Sequence, residues 1–230
     1  MPNDTSQAVF YERTANTTPN RAKRPHSVPL ILRLIRLAFR AGGTISPKLA
    51  GRAAYKLWFT PTRFPTPASE QVVLKSAEIE YYKINGQTIA TYSWGQTGPT
   101  VLLVHGWSGR GTQMGAFVEP LIDAGFRVLS FDAPAHGSSS GKQTTLYEIA
   151  DVILELNDQY GPFDSVITHS FGGPCLAVAI QSGLSTSSVV CISPPASVAA
   201  LVEKFADTLA IPEKAVKDFV QRFEDNFGKN

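Results

Sequence analysis

The sequence has little of what cross-links a small secreted domain or builds a metal site. Its 230 residues hold two cysteines, Cys175 and Cys191, both within apolar stretches. That reads as two buried free thiols in a reducing compartment, and it excludes a disulfide framework or a cysteine-based metal centre. Histidine occurs only four times, at positions 26, 105, 136 and 169. Charged residues make up just 17% of the chain. The longest apolar stretch, residues 28–39, is short and interrupted by Arg33 and Arg36, so it is not expected to span a bilayer. The Met1-Pro-Asn-Asp-Thr start lacks the charged, then apolar, pattern of a secretion signal. No internal repeat stands out. The expectation is a soluble, cytoplasmic protein, with room for a peripheral association with the inner face of the membrane.

What is present suffices for one sizeable core. Hydrophobic residues are 43% of the chain, enough for one domain, or one domain with an appendage. Net charge is only +2, but it is polarised. Residues 1–69 carry eleven Lys/Arg against two Asp/Glu, and residues 70–230 carry ten against seventeen. A basic head on an acidic body suggests an anionic partner for the head; solvated helix faces and a polar tail explain the same pattern without one. Nucleic acid is not expected, because no aromatic residues interleave with a base-reading element. Nothing in the sequence speaks to oligomeric state.

Three regions follow along the chain. Residues 1–27 are polar, rich in Thr and Asn, and read as a flexible tail. Residues 28–69 read as two basic amphipathic helices and a Pro-rich connector. In the first helix Arg33, Arg36 and Arg40 share one face, with Leu30, Leu34, Leu37 and Ala38 on the other side, and Gly42-Gly43 as its end. The second opens with Ser46 as N-cap and Pro47 in the first turn, and stacks Lys48, Arg52 and Lys56 opposite Ala50, Ala53, Ala54 and Leu57. Such a pair could lie on an anionic membrane surface or pack on the rest of the protein with its charges in water. Residues 60–69 are the connector.

From residue 70 the pattern is that of a partial α/β domain. Val72–Ile84 and Gln87–Trp94 flank Asn85-Gly86, a hairpin pair. Apolar strands at 100–105, 126–131, 165–168 and 188–192 alternate with helices at 113–124, 146–158 and 171–181. That alternation predicts a mostly parallel sheet buried on both faces. Two further helices are expected at 196–209 and 212–227, the second carrying an apolar stripe of Val216, Phe219, Val220, Phe223 and Phe227 that must cover something.

Three strings carry chemistry. Thr168-His-Ser-Phe-Gly-Gly173 sits where a strand gives way to a helix. A sharp strand–turn–helix there lifts Ser170 Oγ above the sheet and sets the next N–H at a helix N-terminus, where developing negative charge is favoured. Thr168 departs from the glycine usual at that position and adds a β-branched side chain at a crowded place. The simpler alternative for Ser170 is a helix-capping serine. Val101-Leu-Leu-Val-His-Gly-Trp107 runs a buried strand into a loop able to present a second N–H. Phe131-Asp-Ala-Pro-Ala-His-Gly-Ser-Ser139 follows the next strand.

In this order the strings resemble the α/β-hydrolase superfamily, in its esterase- or lysophospholipase-like branch, over about residues 75–200. The resemblance implies Ser170 as nucleophile and the Trp107 and Phe171 amides as oxyanion hole, with His105, Gly106 and Gly172 supporting the motif. It implies a small-molecule acyl substrate and neither cofactor nor metal. It gives Asp132 and His136 a scaffolding role, and matches residues 196–227 to an inserted lid. It also implies a catalytic acid and then a histidine after the nucleophile, yet no histidine follows Ser170. The last strands, acid and base are therefore expected outside these 230 residues, and the chain alone is expected to be inactive. It would be a fragment of a longer product, a chain completed by a partner, or a non-catalytic binding or peripheral membrane protein that keeps the fold. A serine nucleophile argues against epoxide or haloalkane chemistry, which an aspartate would have suggested.

Overall fold

A computed structural model of the chain describes residues 29–228; the expected tail at 1–27 lies outside them. The chain runs α1 (Leu30–Ile45), α2 (Pro47–Trp58), α3 (Ala68–Ser76), β1 (Glu78–Ile84), β2 (Gln87–Trp94) and β3 (Thr100–Val104). A 3-10 turn at Gly111–Phe117 leads into α4 (Val118–Asp123) and β4 (Arg127–Phe131). Then follow α5 (Leu146–Tyr160), β5 (Phe163–His169), α6 (Gly172–Gln181), β6 (Ser188–Ile192), α7 (Val198–Leu209) and α8 (Glu213–Phe227).

One six-stranded sheet has the order β1-β2-β4-β3-β5-β6. The β1–β2 and β2–β4 pairs are antiparallel, while β3 pairs in parallel with β4 and β5, and β5 with β6. Asn85 and Gly86 both take positive φ, 49° and 77°, which turns β1 tightly into β2. Alternation along the strands splits the core. Leu102, Val104, Leu129, Phe131 and Val166 face α5 and α6. Val101, Leu103, Val128 and Ile167 face the opposite layer, with Met114 and Val118. A capping box starts α5: Thr145 Oγ1 accepts from the Glu148 N–H, and the Glu148 carboxylate accepts from the Thr145 N–H.

A third core joins the first two helices to the last. Phe39, Ala50 and Ala54 of the first two helices pack with Ile211, Ala215 and Phe219 around α8. The apolar stripe of α8 therefore finds its cover in α2: Phe219 meets Tyr55 and Trp58, and Phe223 stacks on Phe59 at 6.3 Å. Small residues make the approach possible. A Cβ on Gly51 would strike the Asp218 side chain, and one on Gly43 would come within 2.7 Å of Pro212.

The structure corrects several expectations. α1 does not stop at Gly42-Gly43 but continues to Ile45, because Gly43 is needed inside the helix for contact with Pro212. Ser46 precedes α2, but its side chain makes no capping hydrogen bond. Residues 72–76 belong to α3, not to β1; Trp94 Nε1 donates to Val73 O and holds that turn on the sheet. Cys175 is buried as expected, and burial raises its thiol to about 12, but Cys191 is exposed. It lies on β6, an edge strand whose Val189 and Val190 are also exposed. The Leu30, Leu34 and Leu37 side of α1 is open too; the helix docks through Phe39 and Gly43 instead.

Candidate functional site

Ser170 stands at the turn from β5 into α6 with φ at +50°, a left-handed conformation uncommon for a serine. The surroundings impose it. The Ser170 N–H donates to Ile192 O at the end of β6, and its carbonyl accepts from the Gly173 N–H. On one side Gly172 lies so near β3 that a Cβ would come within 2.7 Å of Val104 O. On the other, a Cβ on Gly106 would stand 3.0 Å from Ser170 Cβ. The glycine strings at 106 and 172 therefore press the end of β3 and the β5–α6 turn together. Thr168 fits at the turn's start because it faces Gly173, with Oγ1 at 3.6 Å from where a Gly173 Cβ would be. Its hydroxyl is fully buried and without a partner among the described residues.

The Trp107 and Phe171 rings meet edge to face at 5.3 Å, and both residues line the same cavity as Ser170. Among the described residues neither backbone N–H is spent on another acceptor. Phe171 also heads α6, so its amide lies at the positive end of a helix dipole.

The histidines divide clearly. His105 is buried; its Nε2 accepts from the Ala133 N–H and its Nδ1–H donates to Gly106 O. His136 is also buried; its Nε2 accepts from the Ser108 N–H and its Nδ1–H donates to Pro134 O. Each ring is neutral with both nitrogens used. Burial pushes the His105 pKa down; burial, reinforced by His105, drops His136 to about 4. Both brace loops and neither is free to act as a base. Asp132 is likewise occupied: its carboxylate accepts from Tyr92 Oη–H and from the Gly111 and Ser138 N–H groups, all at 2.7 Å. Gly137 is required beside it, because any Cβ there would strike that carboxylate. The ring of His169 packs on Gly106. Among the described residues Ser170 Oγ has no hydrogen-bond partner, and no three His, Cys, Asp or Glu side chains converge as metal ligands would.

Ser170 opens into a cavity of about 430 Å³. Its floor is Ser170, Phe171 and Trp107, and its roof comes from α7 and α8 through Leu201, Phe205, Phe223 and Phe227. The lining is apolar apart from a few hydroxyls and a single charged side chain, Lys204. The helices expected at 196–227 thus line the same cavity as the serine. Sequence reading missed the contribution of α2, which walls the cavity with Leu57, Trp58 and, just past its end, Phe59. The signal was the run of aromatics Tyr55, Trp58 and Phe59 at the C-terminal end of α2, overshadowed by the basic pattern.

Fold and site together define a hydrolase-type α/β scaffold. A model of the alpha/beta hydrolase family matches residues 101–227, and the chain belongs to that family. Among solved structures, VrEH2 aligns with TM-score 0.50 at 19% identity, over 58% of this chain and 46% of that one. An epoxide hydrolase from Vigna radiata aligns at 0.49 and 20% identity, over 54% and 42%. A thioesterase domain from the curacin biosynthetic pathway aligns at 0.48 and 22% identity, over 58% and 52%. At these identities the likeness is one of fold. The chain spans less than half the length of the first two. No curated protein matches.

Proposed function

We propose that the protein is a serine hydrolase of carboxylic esters or thioesters with apolar acyl groups. Ser170 Oγ attacks the carbonyl carbon, and its proton passes to a base supplied from outside the described residues. The carbonyl oxygen becomes an oxyanion held by the Trp107 and Phe171 N–H groups, each such donor worth roughly 10²–10³ in rate. Collapse expels the alcohol or thiol, and water then releases the acid from the acyl-enzyme. The acyl chain occupies the cavity under α7 and α8.

The observation carrying this reading is Ser170's positive-φ turn between β5 and α6, followed by the Phe171 N–H, which like that of Trp107 has no acceptor among the described residues. A helix-capping serine needs neither that strain nor a second strand's loop pressed on it. The serine also separates this site from carboxylate-nucleophile chemistry such as epoxide opening. In the test, the intact protein is treated with an alkyl fluorophosphonate at mildly alkaline pH, with and without added imidazole as external base. Phosphonylation should map to Ser170 by peptide mass spectrometry, quicken with imidazole, and vanish in Ser170→Ala. Folded protein that stays unmodified under both conditions would reject the nucleophile and leave a binding protein on a hydrolase fold.

A further inference from the structure

We infer that the outer face of α1, continued by α2, docks on an anionic lipid bilayer. α1 is amphipathic twice over. Its inner side, through Phe39 and Gly43, is buried in the core shared with α8. Its outer side is a second apolar stripe. Leu30, Leu34, Leu37 and Ile45 are 70%, 53%, 64% and 85% exposed, and they recur at helical spacing along one side of the rod. Leu49 on α2 is also exposed, at 64%.

Charge selects the occupant. Arg33 and Arg40 border the stripe and are exposed, and among the described residues neither forms an ion pair. Arg52 and Lys56 lie exposed near Leu49 on α2. No Asp or Glu occurs anywhere between residues 13 and 69. An apolar stripe bordered by cations without an ion-pair partner among the described residues matches a surface that is apolar below and anionic at its edge, which acidic lipids provide at the depth of a half-sunk helix. The sixteen residues of α1 make a rod of roughly 24 Å that lies in the interface, and no described helix is long and apolar enough to cross a membrane. The net negative charge of residues 70–230 sets the orientation, since an acidic surface repels that part and draws in the head.

The full chain is sedimented with phosphatidylcholine vesicles and with vesicles that also contain phosphatidylserine. Binding should require the anionic lipid and weaken with salt. Arg33→Gln with Arg40→Gln should lower the partition coefficient by about fivefold per arginine. Leu34→Gln with Leu37→Gln should lower it at least about tenfold. All four side chains are exposed, so circular dichroism and thermal midpoint should match the parent. Ser170→Ala should bind vesicles like the parent, so this result and the hydrolase reading stand or fall separately. Equal sedimentation with neutral and anionic vesicles, or binding unchanged in both double variants, overturns the proposal. So does a leucine variant that turns an oligomer into a monomer while the parent ignores vesicles, because the stripe would then be a protein interface.

Discussion

Acid should destabilise the fold in a window set by His136. The folded ring is held neutral, with Nε2 accepting from Ser108 N–H at 3.0 Å and Nδ1–H donating to Pro134 O at 2.9 Å. A proton on Nε2 would oppose two N–H groups in a buried place. Burial is the largest cause of the depressed pKa of about 4, against 6.5 for the free side chain. The depressed value fixes the sign: below pH 6.5 the unfolded chain binds a proton that the folded chain refuses, so stability is full above that pH and falls towards pH 4. Between about pH 7.5 and about pH 5.5, linkage gives a loss of about 1.3 kcal/mol from this ring. His105, also depressed by burial, adds to it. The window stays above the carboxylate range, which keeps acidic side chains out of the comparison. Urea unfolding followed by tryptophan fluorescence should show the midpoint falling by roughly 0.6 M, for a slope of about 2 kcal/mol/M. His136→Gln lowers stability at both pH values but should remove about 1.3 kcal/mol of the difference between them. Equal pH dependence in the two proteins would refute the neutral, doubly engaged ring.

Three further outcomes follow from the packing. Gly172→Ala drives a methyl to within 2.7 Å of Val104 O and 3.0 Å of His105 O, where only backbone could yield. It should cost about 1–3 kcal/mol in chemical denaturation and slow fluorophosphonate labelling; unaltered stability would deny the close approach of β3 to the turn. Thr168→Val keeps the shape and removes a buried hydroxyl without a partner. It should raise stability by about 1 kcal/mol, and a loss instead would reveal that the hydroxyl is hydrogen-bonded. Phe219→Ala empties the centre of the core between α2 and α8, where the ring is 1% exposed. A cost of about 3–5 kcal/mol is expected, with faster amide exchange in α7 and α8; an effect below about 1 kcal/mol would mean the roof is not anchored there.

Local chemistry explains why much of this was legible in advance. The alternation of apolar strands and helices foretold a mostly parallel sheet, since strands buried on both faces must be apolar throughout. Asn85-Gly86 announced a hairpin because few other pairs tolerate two positive φ angles. Gly106 and Gly172 flagged the site because side chains there would meet neighbouring backbone or Ser170 itself. His105 and His136, expected as supporting and scaffold residues, each have both ring nitrogens engaged in hydrogen bonds.

The misreadings share a cause: each depended on a contact distant in the chain. Gly42-Gly43 looks like a helix stop until Pro212 is seen against Gly43. Residues 72–76 carry valines fit for a strand, and Trp94 holds them as a helix. Cys191 sits in an apolar run but on the sheet's edge. Hydrophobic period and turn chemistry are properties of neighbouring residues, so most elements, their order and the strand–turn–helix around Ser170 were readable from the chain alone. Which apolar face meets which partner is settled by packing between segments more than a hundred residues apart. Long-range packing therefore joins α2 to α8, lines the Ser170 cavity with α2, α7 and α8, and leaves the leucines of α1 facing outward.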